Sequence, residues 1–552
     1  MWNPNFLLIV KISHQKRFKN ENKKKESIMP INDTDKNHFI GAFLAQRAGG
    51  CSENFVPHFE RVMTAIAAGN TVVAAENAIA DGALIVTADA AKKGAVAPLV
   101  SDGTFLWLYR LWFQEWRLAS CIQKKLNAAD DSILEHNSFD DGLNAEQKQA
   151  LKMGLTRQLS IINGGPGTGK TFTVARIVAA LLARDPDLTI ALAAPTGKAA
   201  QRLEIALHQA FITAQLTRPT QLTTAQTVHR LLGVDNTGTA RYHEHYFLPY
   251  DVVIIDEASM LSLELAAQLF QALAPHTRII LLGDAQQLAA VEAGAVLHDL
   301  AQQSALNHHV VTLQESRRFH QTSGIGILAR CTQNASQTAL TAALEHEDIA
   351  LSPLARRPNY DRLYEPYRDY VAKVAAGAAV DVLLQQFDNY RILTKTRYGA
   401  YGTAAVNEQM KKRHLAQMGV NGKRAFYQGA PVMVTRNNYA HGVFNGDIGI
   451  CLADERGQML VYFREDFAVP LLFLKSDDLD FAYALTIHKA QGSEFEQVAL
   501  LLDKQEEGLT RELVYTGITR AKKQLLLETT PAILLKAMQT PTQRLTGLST
   551  FF

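Results

Sequence analysis

The chain has 552 residues, 47% of them hydrophobic and 20% charged, with a formal net charge of +2 and four cysteines. That length exceeds one ordinary core and calls for three or four domains of a soluble α/β protein. No apolar run approaches the roughly 18 residues of a spanning helix, and no signal-peptide pattern opens the chain. Cys51, Cys121, Cys331 and Cys451 are too far apart in sequence for a zinc site or a disulfide framework, so a reduced, cytoplasmic setting is expected.

Residues 1–28 hold seven Lys/Arg against two Glu, so this arm carries +5 and everything after it −3. It reads as a disordered basic arm, and Met29, just before ordinary globular composition begins, is a candidate initiator. Nucleic acid, if bound, must then be met by local grooves and not by a globally basic surface. Residues 29–130 form a mainly helical N-terminal domain without nucleotide motifs. In it Phe105, Tyr109, Trp112, Phe113 and Trp116 recur at the spacing of one helix face. That face is either the core of the domain or a surface that docks a partner, and a partner-docking domain is the expectation carried forward. Residues 131–142 are polar and read as a linker.

From 143 to 330 apolar strands alternate with helices: Leu159 to Asn163, Thr189 to Ala194, Val252 to Asp256 and Arg278 to Gly283. This predicts a parallel sheet with ligands at the carboxyl ends of its strands. Directly after the first strand the sequence G-G-P-G-T-G-K-T forms a complete phosphate-binding loop. Gly164, Gly165, Pro166, Gly167, Thr168 and Gly169 turn backbone amides toward phosphate oxygens. Lys170 reaches the β- and γ-phosphates, and the Thr171 hydroxyl ligates Mg²⁺. Asp256 and Glu257 end another strand, where Asp256 holds Mg²⁺ and Glu257 orients or deprotonates the attacking water. Gln287, delivered with Gly283 and Asp284 by the next strand, is placed to sense the γ-phosphate. Charge developing in phosphoryl transfer is met by arginine, and Arg318 and Arg520 are the candidates; Arg317 competes with Arg318, and spacing does not choose between them.

A connector at 331–385 precedes a second α/β unit at 386–552, which begins with Tyr390 to Thr394. Short β-like segments and glycine turns at about 424–470 predict a small barrel inserted in it. Three stretches suit a nucleic acid backbone: Thr196 and Lys198 in A-P-T-G-K-A; His229 with Thr227 and Arg230; and Thr486, His488 and Lys489 in T-I-H-K-A-Q-G-S-E-F. In the last stretch Gly492 and Glu494 are expected to face the nucleotide cleft.

The series G-G-P-G-T-G-K-T, A-P-T-G-K-A-A, D-E-A-S-M, G-D-A-Q-Q-L, S-R-R-F, F-N-G-D-I-G, T-I-H-K-A-Q-G-S-E-F and V-Y-T-G-I-T-R-A-K, spread over about Leu143 to Lys523, resembles the superfamily 1 DNA helicases. Within them it is most similar to the RecD family, the alpha chains of bacterial exodeoxyribonuclease V. The resemblance implies two RecA-like motor domains, an inserted SH3-like barrel and ATP-driven movement 5′ to 3′ on single-stranded DNA. It also implies an N-terminal domain that docks on RecC in a heterotrimer with RecB, serving double-strand break repair. By the same resemblance Gln147 reads the adenine, and Arg318 and Arg520 enter the ATP pocket. Residues 1–28 have no counterpart in the family. No separate carboxylate cluster for a catalytic metal pair is evident, so DNA cleavage is expected in a partner chain. Two other readings stay open: a stand-alone helicase of the same kind, and a structural DNA-binding subunit in which ATP acts only as a conformational switch.

Overall fold

A computed structural model describes residues 33–48, 52–126, 139–235, 237–316, 323–420, 425–503 and 508–552. The arm at 1–28, Met29, most of the 131–142 linker, and Arg317 and Arg318 lie outside the described residues. The chain divides into two compact units. Among the described residues, one gathers those from Asp33 to Ala119 with Val291–Gly294 and Arg544–Phe551, and the other holds those from Ser120 to Ala290 and from Ala295 to Gln543, with Phe552.

The first unit packs helices Asp33–Ala48 and Ser52–Ala67 with strands β1 (Val72–Ala74), β2 (Ile85–Thr87), β3 (Leu99–Ser101) and β4 (Phe105–Leu108). These strands form a sheet of order β1-β4-β3-β2, parallel only between β2 and β3. Helices hold more of its residues than strands, as the composition suggested, and the sheet is an addition. Phe105 lies in β4 and the next helix begins at Tyr109, so the aromatic series crosses from strand to helix instead of lining one helix. Trp107 and Trp112 are fully buried in this unit's own core. Phe551 closes that core, with its ring centroid 6.3 Å from Trp107 and 6.4 Å from Trp112. Buried Glu115 is satisfied there. It accepts from Trp107 Nε1 at 2.9 Å, from the Thr71 hydroxyl at 2.6 Å and from the Gly547 amide at 3.2 Å.

In the second unit, β5 (Leu159–Gly164), β6 (Ile190–Ala194), β7 (Gln226–Thr227), β8 (Val252–Ile255), β9 (Arg278–Gly283) and β10 (Val310–Leu313) form an all-parallel sheet of order β10-β5-β9-β8-β6-β7. Its central strands β6 and β8 are continuous apolar runs, as in a sheet covered on both faces, and Val252, Val253, Ile254 and Ile255 are all buried. The order fixes what stands beside what. The carboxyl end of β5 carries the phosphate loop, β9 beside it carries Asp284, β8 carries Asp256, and β6 and β7 carry Thr196 and Thr227.

Strands β11 (Ile349–Ser352) and β12 (Tyr390–Thr394) open a second body. Its chain then leaves for an antiparallel sheet of β13 (Ala430–Val434), β14 (Ile448–Ala453), β15 (Met459–Arg464), β16 (Phe467–Pro470) and β17 (Leu479–Phe481), in order β16-β15-β14-β13-β17. It returns through β18 (Ala484–Thr486), β19 (Phe495–Leu501) and β20 (Ala521–Glu528) to complete a parallel sheet of order β11-β20-β19-β12-β18. The stretch read as a connector therefore supplies an edge strand of this sheet. No described helix is long and apolar enough to cross a membrane.

Candidate functional site

The phosphate loop sits between β5 and the helix Lys170–Arg184. Gly169 caps that helix at φ 84°, a left-handed conformation, and a Cβ there would lie 2.4 Å from Gln147 Nε2. Only glycine meets both demands. Lys170 Nζ donates to the carbonyls of Gly164 at 2.6 Å and Gly165 at 3.1 Å, so its charge lies across the mouth of the loop. Asn144 starts the helix Ala145–Thr156 with a reciprocal capping box to Gln147. Gln147 is 2% exposed; its Oε1 accepts from the Asn144 amide and its Nε2 donates to Thr168 O, both at 3.1 Å. The residue expected to read a base thus also braces the phosphate loop. A cavity of about 810 Å³ opens over Gly164, Gly165, Pro166 and Thr168, and Glu146, Ser316, Arg330 and Tyr515 also line it. The Ser316 hydroxyl donates to Pro166 O at 2.9 Å, so the segment that leads to residues 317 and 318 is fastened to the loop.

Asp256 follows β8, and burial raises its pKa to about 6, helped by the charge of Glu257 and opposed by that of Lys170. Glu257 caps a short 3-10 turn at φ 52°, a left-handed conformation that costs a side-chain-bearing residue about 1–2 kcal/mol. Asp256 Oδ1 accepts from the Glu257 amide at 2.8 Å, which holds the strained turn closed. Two adjacent carboxylates whose repulsion raises one pKa are a suitable set for a cation that arrives with phosphate oxygens.

Gln287 and Arg520 meet directly. Gln287, 6% exposed, accepts from Arg520 Nη2 at 2.7 Å and donates from Nε2 to Asp284 Oδ2 at 3.0 Å. Arg520, 2% exposed, also donates from Nη1 to Ser493 O at 3.1 Å and from Nε to Thr516 O at 3.0 Å. The Leu288 amide donates to Thr516 Oγ1 at 3.0 Å, and Gln491 Nε2 donates to Leu288 O at 2.8 Å. The loop after β9 is therefore stitched to the second body by residues 491–493 and 515–520.

Gly492 and Glu494 engage a residue that the motifs did not single out. Arg202, on the helix Gly197–Thr213, donates to Gly492 O at 2.6 Å and pairs with Glu494 at 2.9 Å. Gly492 has φ 68°, and a Cβ there would stand 3.4 Å from Ala199 Cβ, so the two bodies come close at this point. Sequence gave no signal for Arg202 beyond its place one helical turn after Lys198.

The residues expected to meet nucleic acid occupy strand ends in both sheets. Thr196 follows β6 and caps the helix Gly197–Thr213 through the Ala199 amide at 3.2 Å. Lys198 lies 5.8 Å from the Phe495 ring centroid, and burial lowers its pKa to about 8. His229 lies exposed on the short helix Val228–Leu231 after β7. In the second sheet Thr394 of β12 and Thr486 of β18 are register partners. Thr486 Oγ1 accepts from the Lys489 amide at 3.3 Å, and half-buried His488 follows in the same turn. Lys489 Nζ lies 3.4 Å from Asp480 Oδ2, whose Oδ1 takes Arg397 at 3.0 Å.

Three family models match the chain: one described as an AAA domain at residues 147–293, one as an ATP-dependent RecD-like DNA helicase SH3 domain at 404–463, and one as a UvrD-like helicase C-terminal domain at 481–527. Among curated proteins the chain is 35% identical over 462 residues to the RecBCD enzyme subunit RecD of Mycolicibacterium smegmatis, covering 81% of this chain and 82% of that one. It is 32% identical over 524 residues to the protein of the same name from Haemophilus influenzae, covering 82% and 81%. It is also 30% identical over 485 residues to the ATP-dependent RecD2 DNA helicase of Deinococcus radiodurans, covering 85% of this chain and 61% of that one. With the P-loop, the paired carboxylates and the arginine that joins two parallel sheets, these similarities give one conclusion: the chain belongs to the RecD family of DNA helicases.

Proposed function

We propose that this chain is an ATP-driven motor that moves 5′ to 3′ along single-stranded DNA. On this reading it works in the cytoplasm with RecB and RecC partner chains during double-strand break repair by homologous recombination and DNA degradation. The observation that carries the reading is the hydrogen bond from Arg520 of the second sheet to Gln287 of the first, beside the phosphate loop. Hydrolysis sensed at Gln287 is felt at once by the other body, and this converts a chemical step into relative movement.

Mg²⁺–ATP, when bound, supplies the phosphoryl group whose transfer to water drives the cycle. Thr171 and Asp256 are the residues that would hold the cation. Their suitability rests on Asp256, whose raised pKa falls when a cation offsets its repulsion by Glu257. Lys170 exchanges the Gly164 and Gly165 carbonyls for phosphate oxygens. Glu257 orients the attacking water, and Arg520, with Arg318 from the adjoining segment, neutralises developing charge. Thr196, Lys198, His229, Thr486, His488 and Lys489 hold the DNA backbone, so recognition is independent of sequence. Nuclease chemistry is assigned to a partner chain, and the N-terminal domain to docking on RecC.

The test is strand displacement, with ATP, on matched duplexes carrying a 5′ or a 3′ single-stranded tail. Unwinding from the 5′ tail supports the reading, and unwinding only from the 3′ tail overturns it. Lys170→Ala should abolish ATP hydrolysis while single-stranded DNA still binds.

A further inference from the structure

Tyr515 stands where the two bodies of the motor meet the phosphate loop. Its hydroxyl donates to Asp284 Oδ2 at 2.9 Å, and a Cβ placed on Gly165 would lie 2.8 Å from the Tyr515 hydroxyl oxygen itself. Asp284 Oδ2 also accepts from Gln287 Nε2, and Gln287 Oε1 accepts from Arg520. Tyr515 and Arg520 both belong to the second body, one on the helix Arg511–Ile518 and one just past it. Asp284 and Gln287 both belong to the loop after β9. The four side chains thus form a ring of three hydrogen bonds closed through the second body's backbone, and they are all buried.

We infer that Tyr515 is a positioning residue for ATP hydrolysis, acting through Asp284 to hold the Gln287 amide with its oxygen toward Arg520 and its nitrogen toward the carboxylate. A primary amide can rotate by half a turn and exchange its oxygen and nitrogen. Rotated, Gln287 would face Arg520 with a donor and Asp284 with an acceptor, and both contacts would become repulsive. Arg520 and Asp284 both oppose this rotation; the Gln286 amide holds Asp284 Oδ1 at 3.1 Å, and Tyr515 holds Oδ2, the oxygen that Gln287 meets. Burial and the Asp284 carboxylate keep the phenol well above its usual pKa, so it remains a donor at all working pH values. The hydroxyl also lies against Gly165, so entry of a nucleotide into the loop and the orientation of Gln287 are read by one side chain of the opposite body.

This inference rests on the reading of Gln287 as the γ-phosphate sensor. The full chain carries the test, in a double-mutant cycle of Tyr515→Phe and Gln287→Ala on DNA-stimulated ATP hydrolysis. Tyr515→Phe keeps the ring and removes one hydrogen bond, and it should lower kcat about 5- to 10-fold with the KM for ATP within about twofold. In the Gln287→Ala background the same change should make no further difference. An unchanged kcat in Tyr515→Phe, or losses that multiply in the double variant, overturns the inference. If Gln287→Ala alone leaves kcat intact, the sensor reading itself falls, and the inference with it.

Discussion

Arg520 Nη2 donates a 2.7 Å hydrogen bond to Gln287 Oε1 while the other two guanidinium nitrogens hold the carbonyls of Ser493 and Thr516. One side chain of the second sheet therefore fixes its own loop and the sensing loop of the first. Arg520→Ala should lower DNA-stimulated ATP hydrolysis by about 10³ or more. Arg520→Lys should recover less than about tenfold of that loss, because a single ammonium cannot reproduce a planar, three-nitrogen fork. Steady-state kinetics of the two variants decide it, and a Lys variant near the original rate would contradict the role.

Burial, with the charge of Glu257, raises the Asp256 pKa to about 6 in the folded protein, above the usual carboxylate range of about 4 in an unfolded chain. The folded state thus binds more protons between these values. Its ionised form weakens the fold above pH 6, and that penalty fades as pH falls toward 4. Asp256→Asn should melt at a higher temperature than the parent at pH 7.5, with the gap closing by pH 4.5. In the parent protein, kcat/KM for ATP should fall as pH drops through about 6, when Asp256 can no longer hold a cation. Calorimetry and pH-rate profiles check the two halves independently.

Glu257 holds a left-handed backbone that glycine adopts freely. Glu257→Gln and Glu257→Gly should both lose hydrolysis. The glycine variant should be the more stable of the two by about 1 kcal/mol, because it alone relieves the strain. Equal stabilities in denaturant titrations would mean the turn stores no strain.

Arg202 clasps Gly492 and Glu494 across the two bodies, with its own side chain 33% and that of Glu494 16% exposed. At that exposure the ion pair itself contributes little, about 1 kcal/mol or less. Its expected effect is on closure: Arg202→Ala should lower DNA-stimulated hydrolysis several-fold with little change in melting temperature. Glu494→Gln, which leaves the Gly492 bond in place, should have the smaller effect.

Lys489 and Arg397 share Asp480. Removing Lys489 should weaken single-stranded DNA binding equally for all sequences and reduce the salt slope by about 0.7. Asp480→Asn, which frees both cations, should tighten binding at low salt. A sequence-dependent loss in Lys489→Ala would contradict a backbone contact.

The parallel sheets were legible in the sequence because each of their main strands is a buried apolar run that ends in residues with chemistry, as Val252 to Ile255 lead to Asp256 and Tyr390 to Thr394 emerge over their full length. The four-stranded sheet of the first unit was not. Val72–Ala74, Ile85–Thr87 and Leu99–Ser101 are three residues each, too short for an alternating pattern to show against an Ala-rich background. The phosphate loop and its carboxylates were readable as local motifs. Arg202 lies outside the motifs, and Tyr515, although it stands within V-Y-T-G-I-T-R-A-K, was not singled out, because their importance lies in partners hundreds of residues away that no local spacing encodes.

The first unit draws its last pieces from the far end of the chain. Gly547 sits on the Thr71 hydroxyl and Glu115, and Phe551 on Trp107 and Trp112, so residues made early in synthesis wait for residues made more than 400 positions later. On the ribosome, Trp107 and Trp112 emerge long before the ring that covers them, and this unit stays open while both parallel sheets are being translated. A chain cut short before residue 544 would carry every catalytic motif and still leave an aromatic core uncovered, a form that cellular proteases and chaperones select against. Translation of residues 544–551 is thereby written into the packing of a domain whose other elements lie more than 400 positions earlier.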